Sequence, residues 1–262
     1  MSLFLREARH PRLDFILENW ERSSGKINLD DHTKISDIPD FLGIQSKFKD
    51  ATIEKIEIDY LSPSRDILGA HAIRAVAKAY EALDGAKCCD DKKITSSAML
   101  LAYNSSFFAA KSMCYLFGFT PADRDSQLTF DLFFKSPQEK TITIYRYPRW
   151  GHSEVWALAI RLIYTFKSGY DVERTFLRKA KLKHVSKPRN AYAYNDSKTS
   201  FFSDADTSDF PDFALKNSSE EFEKYIAICE NFLKISNDII RQSDMKNILL
   251  KHVSRRRRRL AA

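Results

Sequence analysis

Between residues 97 and 117 the chain offers almost no polar side. Met99, Leu100, Leu101, Tyr103, Phe107, Phe108, Met113, Leu116 and Phe117 spread over most faces of a helix, and Gly118 supplies its stop. A helix that is apolar nearly all round has to be surrounded, so this segment predicts the centre of a helical assembly rather than a surface element. Asn104, Ser105, Ser106, Lys111 and Ser112 interrupt the same stretch. They argue against a membrane span here, in the segment that comes nearest to one.

Such a helix needs amphipathic neighbours, and the sequence supplies them. Leu13, Ile16, Leu17 and Trp20 recur at one-face spacing after Pro11. Ser62-Pro63 opens a second helix with Ile67, Leu68, Ala75, Val76, Ala79, Tyr80 and Leu83 on one side, and Gly85 reads as its end. A helix after Ser153 carries Val155, Trp156, Ala159, Ile160 and Ile163, and a basic helix is expected over 171–184. Residues 186–217 read as a long polar loop. Ser218-Ser219-Glu220-Glu221 then reads as a capping box before the stripe Phe222, Tyr225, Ile226, Cys229, Phe232, Leu233, Ile239 and Ile240. A shorter helix to about Val253 follows.

The period changes from helical to alternating in one region. Leu128, Phe130, Leu132 and Phe134 alternate, as do Thr141, Thr143, Tyr145 and Tyr147, with a turn-forming stretch around Ser136-Pro137 between them. A short strand is also expected around Ile53–Tyr60. The expected fold is therefore mainly α: a helical bundle with a β-hairpin insertion near 127–148, in one domain over 1–250, followed by a basic tail over 251–262.

Charge and cysteine content narrow the function classes. The formal net charge is +7, and the adjacent Arg255, Arg256, Arg257, Arg258 and Arg259 supply five of those charges. A run of this kind attracts nucleic acid or an acidic protein surface. The four cysteines show neither CxxC nor zinc-ligand spacing, and no secretory leader pattern is evident, so reduced thiols and a cytoplasmic setting are expected. A Walker phosphate loop, GxGxxG, HExxH and GxSxG are all missing. No cofactor, metal site or membrane contact is expected.

Two segments carry a resemblance to a known family. Tyr103-Asn104-Ser105-Ser106-Phe107-Phe108-Ala109-Ala110-Lys111, running on to Gly118, resembles the core helix of the HEPN superfamily. Arg189-Asn190, followed by Tyr192 and Tyr194, is similar to the Arg-polar start of that family's ribonuclease motif. The resemblance implies a helical, RNA-associated protein of a prokaryotic stress or phage-defence setting. It also implies a metal-independent endoribonuclease or an inactive relative, acting as a homodimer or with a protein partner. In such a site Arg offsets charge developing on the phosphodiester, and His moves a proton or orients the 2′-hydroxyl. This sequence departs from the motif: no His follows Arg189, and Tyr194 stands near its place. A phenol with a reference pKa of about 10 is a poor base at neutral pH, so both the active and the inactive reading stay open.

The Arg-to-His spacing of the motif occurs elsewhere, at Arg65–His71 and at Arg178–His184. The first pair precedes the core helix, which is the wrong order for the family. The second follows the core helices in a basic stretch, so Arg178, His184 and Arg189 are the catalytic candidates. Asn190, Tyr192 and Tyr194, with Arg146 and Arg149 around Trp150 and His152, are candidates for gripping phosphates and stacking bases, as is the arginine run. The competing reading is a non-catalytic interaction subunit of a larger assembly.

Overall fold

The computed structural model describes residues 13–21, 35, 38, 42, 53–57, 62–92, 94–121, 128–133, 141–146, 152–165 and 210–243. In chain order these form α1 (Leu13–Glu21), β1 (Ile53–Glu57), α2 (Ser62–Asp91), α3 (Thr95–Leu116) and β2 (Phe119–Pro121). Then come β3 (Leu128–Asp131), β4 (Thr141–Arg146), α4 (His152–Thr165) and α5 (Phe210–Gln242). The protein is mainly helical with a small antiparallel sheet, as its periodicities predict.

The apolar segment is the centre. Ala98, Met99, Ala102, Tyr103, Ala109, Ala110, Met113, Cys114, Leu116 and Phe117 of α3 and its cap are buried. Its small residues let neighbouring helices come close. Ser105, Ser106 and Ser112 are fully buried, and each hydroxyl donates to the carbonyl three residues back, at 2.7, 2.8 and 2.7 Å. Serine thus acts here as a small core residue whose polarity is satisfied within its own helix.

α5 runs along α3, as expected for the partner stripe. Tyr103 and Tyr225 meet edge to face at 5.6 Å, and the Ser112 and Ser236 hydroxyls share a hydrogen bond of 3.0 Å. α4 closes a third side, where Trp156 lies 5.7 Å from Phe232 and the Cys114 thiol points to the Val155 carbonyl at 3.8 Å. α2 packs antiparallel to α3. Gly85 faces Leu101, and a Cβ on Gly85 would come within 3.3 Å of that side chain.

That contact explains a departure from expectation. Gly85 reads as a helix stop, yet α2 continues to Asp91. The glycine serves close approach of two helices, not termination. α5 departs in the opposite sense: it begins at Phe210, so the expected capping box lies inside it. Pro211 falls in its first turn, where a proline sacrifices no helical hydrogen bond. Tyr80, expected in the core, sits at the surface, where its hydroxyl accepts from Asn237 Nδ2. The expected helices over 171–184 and after 243, and the rest of the expected long loop, lie outside the described residues.

The hairpin forms as anticipated, with Leu128 opposite Arg146 and Asp131 opposite Thr143. β1 adds to the far side of β4 and β2 to the far side of β3, giving the order β1-β4-β3-β2. Phe130, Ile142 and Ile144 are buried, but so are Thr129, Asp131 and Thr143, so the middle of the sheet is covered on both faces.

A buried guanidinium ties helix and sheet together. Arg65, near the start of α2, is 1% exposed. Its Nη1 donates to the Asn19 carbonyl at 3.0 Å and its Nη2 to Asn19 Oδ1 at 3.1 Å. Nη2 and Nε both donate to the Leu132 carbonyl, at 3.2 and 3.3 Å. Beside it, Trp20 Nε1 donates to the Leu116 carbonyl at 2.9 Å, and the Trp20 ring meets Phe133 edge-on at 5.6 Å. Gly118, at φ +86°, turns the chain from α3 into β2 directly under that phenylalanine; a Cβ there would lie 2.7 Å from the Phe133 ring.

Removing the guanidinium strands several buried acceptors at once. Arg65→Met is expected to destabilise the fold by about 3 kcal/mol or more in chemical denaturation. Lys87→Met breaks an exposed ion pair of 2.9 Å with Glu230 and is expected to cost no more than about 1 kcal/mol. Equal losses for the two variants would contradict the structural role assigned to Arg65.

Candidate nucleic-acid interface

The antiparallel packing of α2 on α3 brings basic side chains from two helices to one seam. On α2, His71, Arg74 and Lys78 stand at i, i+3 and i+7, one side of a helix. On α3, Phe108, Lys111 and Tyr115 repeat the same spacing. The two rows meet in register. Lys78 Nζ lies over the Phe108 ring at 5.5 Å, Lys111 Nζ over the Tyr115 ring at 5.8 Å, and the His71 ring meets Tyr115 edge-on at 6.3 Å. Lys78 is exposed; His71, Arg74, Phe108 and Lys111 are half-buried.

Lys111 is the unusual member. It sits on the central helix between the fully buried Ala110 and Ser112. Burial first, and then the neighbouring Lys78 ammonium, hold its amine below the ordinary lysine value, with Cys114 opposing weakly. Among the described residues no carboxylate pairs with Lys78 or Lys111. The faces of Phe108 and Tyr115 offer partial compensation through their quadrupoles. Lys78 and Lys111 thus hold positive charge that the described acidic residues leave open, beside the half-buried Phe108 ring.

The opposite side of α2 has another character. Nine residues beyond Lys78, about two and a half turns, Lys87 lies on the far face. There an open groove of about 400 Å³ runs between α2 and α5, lined by Lys87, Asp90, Asp91, Phe222, Glu223, Ile226 and Glu230. The Glu230 carboxylate accepts from Lys87 and raises its amine above the ordinary value. Acidic groups gather on this side, while the α2–α3 seam is basic.

Of the Arg-to-His spacings, the structure describes Arg65 and His71, and it does not join them into a site. Arg65 is consumed by buried carbonyls, whereas His71 faces the seam. Arg146 ends β4 and His152 begins α4. Arg149, Arg178, His184, Arg189, Asn190, Tyr192, Tyr194 and Arg255 to Arg259 lie outside the described residues. Sequence reasoning gives His71, Phe108 and Lys111 other roles and misses Arg74, Lys78 and Tyr115, although the i, i+3, i+7 basic spacing on α2 and a lone lysine within an apolar helix are visible signals.

Other chemistries find little support in the described part. All four cysteines are free, and burial pushes the Cys229 thiol up to about 12 and the Cys114 thiol higher still, which keeps both protonated and unreactive. Among the described residues no three His, Cys, Asp or Glu side chains group as metal ligands, and no helix is long and apolar enough to cross a membrane. No family model, curated protein or solved structure matches the chain.

An ammonium that faces another ammonium in a partly dry site destabilises the unliganded fold. Lys111→Met is therefore expected to leave the melting temperature unchanged or raise it. A fall of more than roughly 2 °C, about 1 kcal/mol for a chain of this size, would mean that the ammonium has a stabilising partner.

Proposed function

We propose that the protein is an RNA-associated, HEPN-like helical protein that binds single-stranded RNA, working in the cytoplasm of a prokaryotic cell under stress or phage attack. The observation that carries the reading is the α2–α3 seam: basic side chains from two helices, uncompensated at Lys78 and Lys111, set against aromatic rings. Such a surface attracts a polyanion at long range and offers it apolar contact on arrival. The formal charge of +7 and the arginine run add to that attraction. The cellular setting and the ribonuclease reading come from the HEPN resemblance.

If the protein cleaves RNA, Arg189 is the group that offsets charge on the phosphodiester, and Tyr192 or Tyr194 holds the nucleotide. His184 or His152 then moves the proton. Arginine suits that role because its planar fork makes two parallel hydrogen bonds to phosphate, which lysine does not reproduce. A second copy of the chain is the natural source of further groups in a HEPN-type site.

A second reading, an interaction subunit without catalysis, has one observation in its favour. Ile94 and Leu100, before and within α3, are large apolar side chains left 48% and 36% exposed. Such side chains suit a protein partner.

The test is binding and cleavage of mixed-sequence single-stranded RNA in the presence of a chelator. RNA binding that weakens steeply with salt is expected, since affinity follows the number of neutralised phosphates. If cleavage is observed, Arg189→Lys, His184→Ala and His152→Ala locate it, and loss of the Arg189 fork is expected to slow it by roughly 10² to 10³. Binding without cleavage identifies the inactive relative. No RNA binding even at low salt overturns the proposal in favour of the interaction subunit.

A further inference from the structure

Lys78 and Lys111 come from facing helices and share one side of the seam. Each ammonium stands over an aromatic ring, and neither meets a carboxylate among the described residues. Lys111 is half-buried, and the charge that most lowers its amine is the other lysine. Two cations held this way leave a net charge of two that no described carboxylate answers. A carboxylate or an internal phosphodiester brings one negative charge. A phosphate monoester brings about 1.5 to 2 at neutral pH, with three acceptor oxygens to share between two donors. Lysines suit it as mobile point charges that need no fixed fork geometry. The Phe108 ring beneath Lys78 lines the same place with apolar surface, where the terminal nucleoside can lie.

We propose that Lys78 and Lys111 together hold a terminal phosphate monoester of an RNA chain, placed across the α2–α3 seam beside Phe108. This deepens the RNA reading above and rests on it: the seam does not merely attract the backbone but selects a phosphorylated end. Internal phosphates then follow the basic row toward Arg74 and His71.

The experiment uses the full chain and three short single-stranded RNAs of one sequence, carrying a 5′-phosphate, a 3′-phosphate or hydroxyls at both ends. The wild type is expected to bind one phosphorylated form roughly tenfold more tightly than the hydroxyl form. Which form it prefers tells which end is read. Lys78→Ala removes an exposed side chain and is expected to abolish that preference, weakening the phosphorylated RNA more than the hydroxyl RNA. Lys111→Gln is expected to do the same. Equal binding of all three RNAs by the wild type overturns the clamp and leaves the RNA reading standing, as does a preference that both variants keep. If no RNA binds, the RNA reading fails, and inorganic phosphate then decides the clamp. A melting temperature raised by phosphate over chloride at equal ionic strength, in the wild type but not in Lys78→Ala, keeps it as an oxyanion site. No difference overturns it.

Discussion

Everything described in this molecule is arranged around the close packing of α2 and α5 on α3, and that packing depends on how little side chain α3 carries at the contacts. Ala98, Ala102, Ser105, Ser106, Ala109, Ala110 and Ser112 are all buried there. Larger residues at those positions would hold the helices apart and break the aromatic contacts between them, Tyr103 with Tyr225 among them. The buried serines would be costly if their hydroxyls lacked partners, but each bonds within its own helix, and Ser112 also meets Ser236. Gly85 extends the same rule to α2. The basic seam is a by-product of that geometry: only because α2 and α3 lie so close and in register do Lys78 and Lys111 share one space.

The second organising contact is polar. Arg65 receives no help from the apolar core around it, and its donors go to Asn19 on α1 and to the Leu132 carbonyl just past β3. The acceptors seen for this buried charge are fixed dipoles, and they belong to a helix and a sheet that are far apart in sequence. The result is specific docking of α1 and the sheet on the helical core, reinforced by Trp20 on the Leu116 carbonyl and Phe133 over Gly118.

How much of this the sequence makes legible depends on whether the cause is local. The central helix, the stripe of α5 and the β3–β4 hairpin follow from periodicity, which each segment carries in itself. Gly85 is misread because a local rule treats glycine as punctuation, whereas its use here is set by Leu101, sixteen residues away. The start of α5 is misread because a capping box at Ser218 looks complete in isolation. β2 and the pairing of β1 with β4 are invisible for the same reason: partners in a sheet are chosen across the fold. The candidate site shows the limit most sharply. Arg65 looks like any basic residue in the sequence, and Lys111 stands out only as a lone lysine in an apolar helix, yet one is a buried tie and the other a half-buried cation lowered by a second cation. Spacing alone joined Arg65 to His71, and burial separates them.

The central claim is that RNA meets this protein along the α2–α3 seam. Lysine footprinting of the full chain with and without single-stranded RNA tests it most directly, with acylated lysines read by mass spectrometry. Lys87, Lys92 and Lys234 are exposed and serve as internal references. The account predicts that RNA protects Lys78 and Lys111 while the references keep their reactivity. RNA binding that leaves Lys78 and Lys111 as reactive as before, or that protects the references instead, would contradict it.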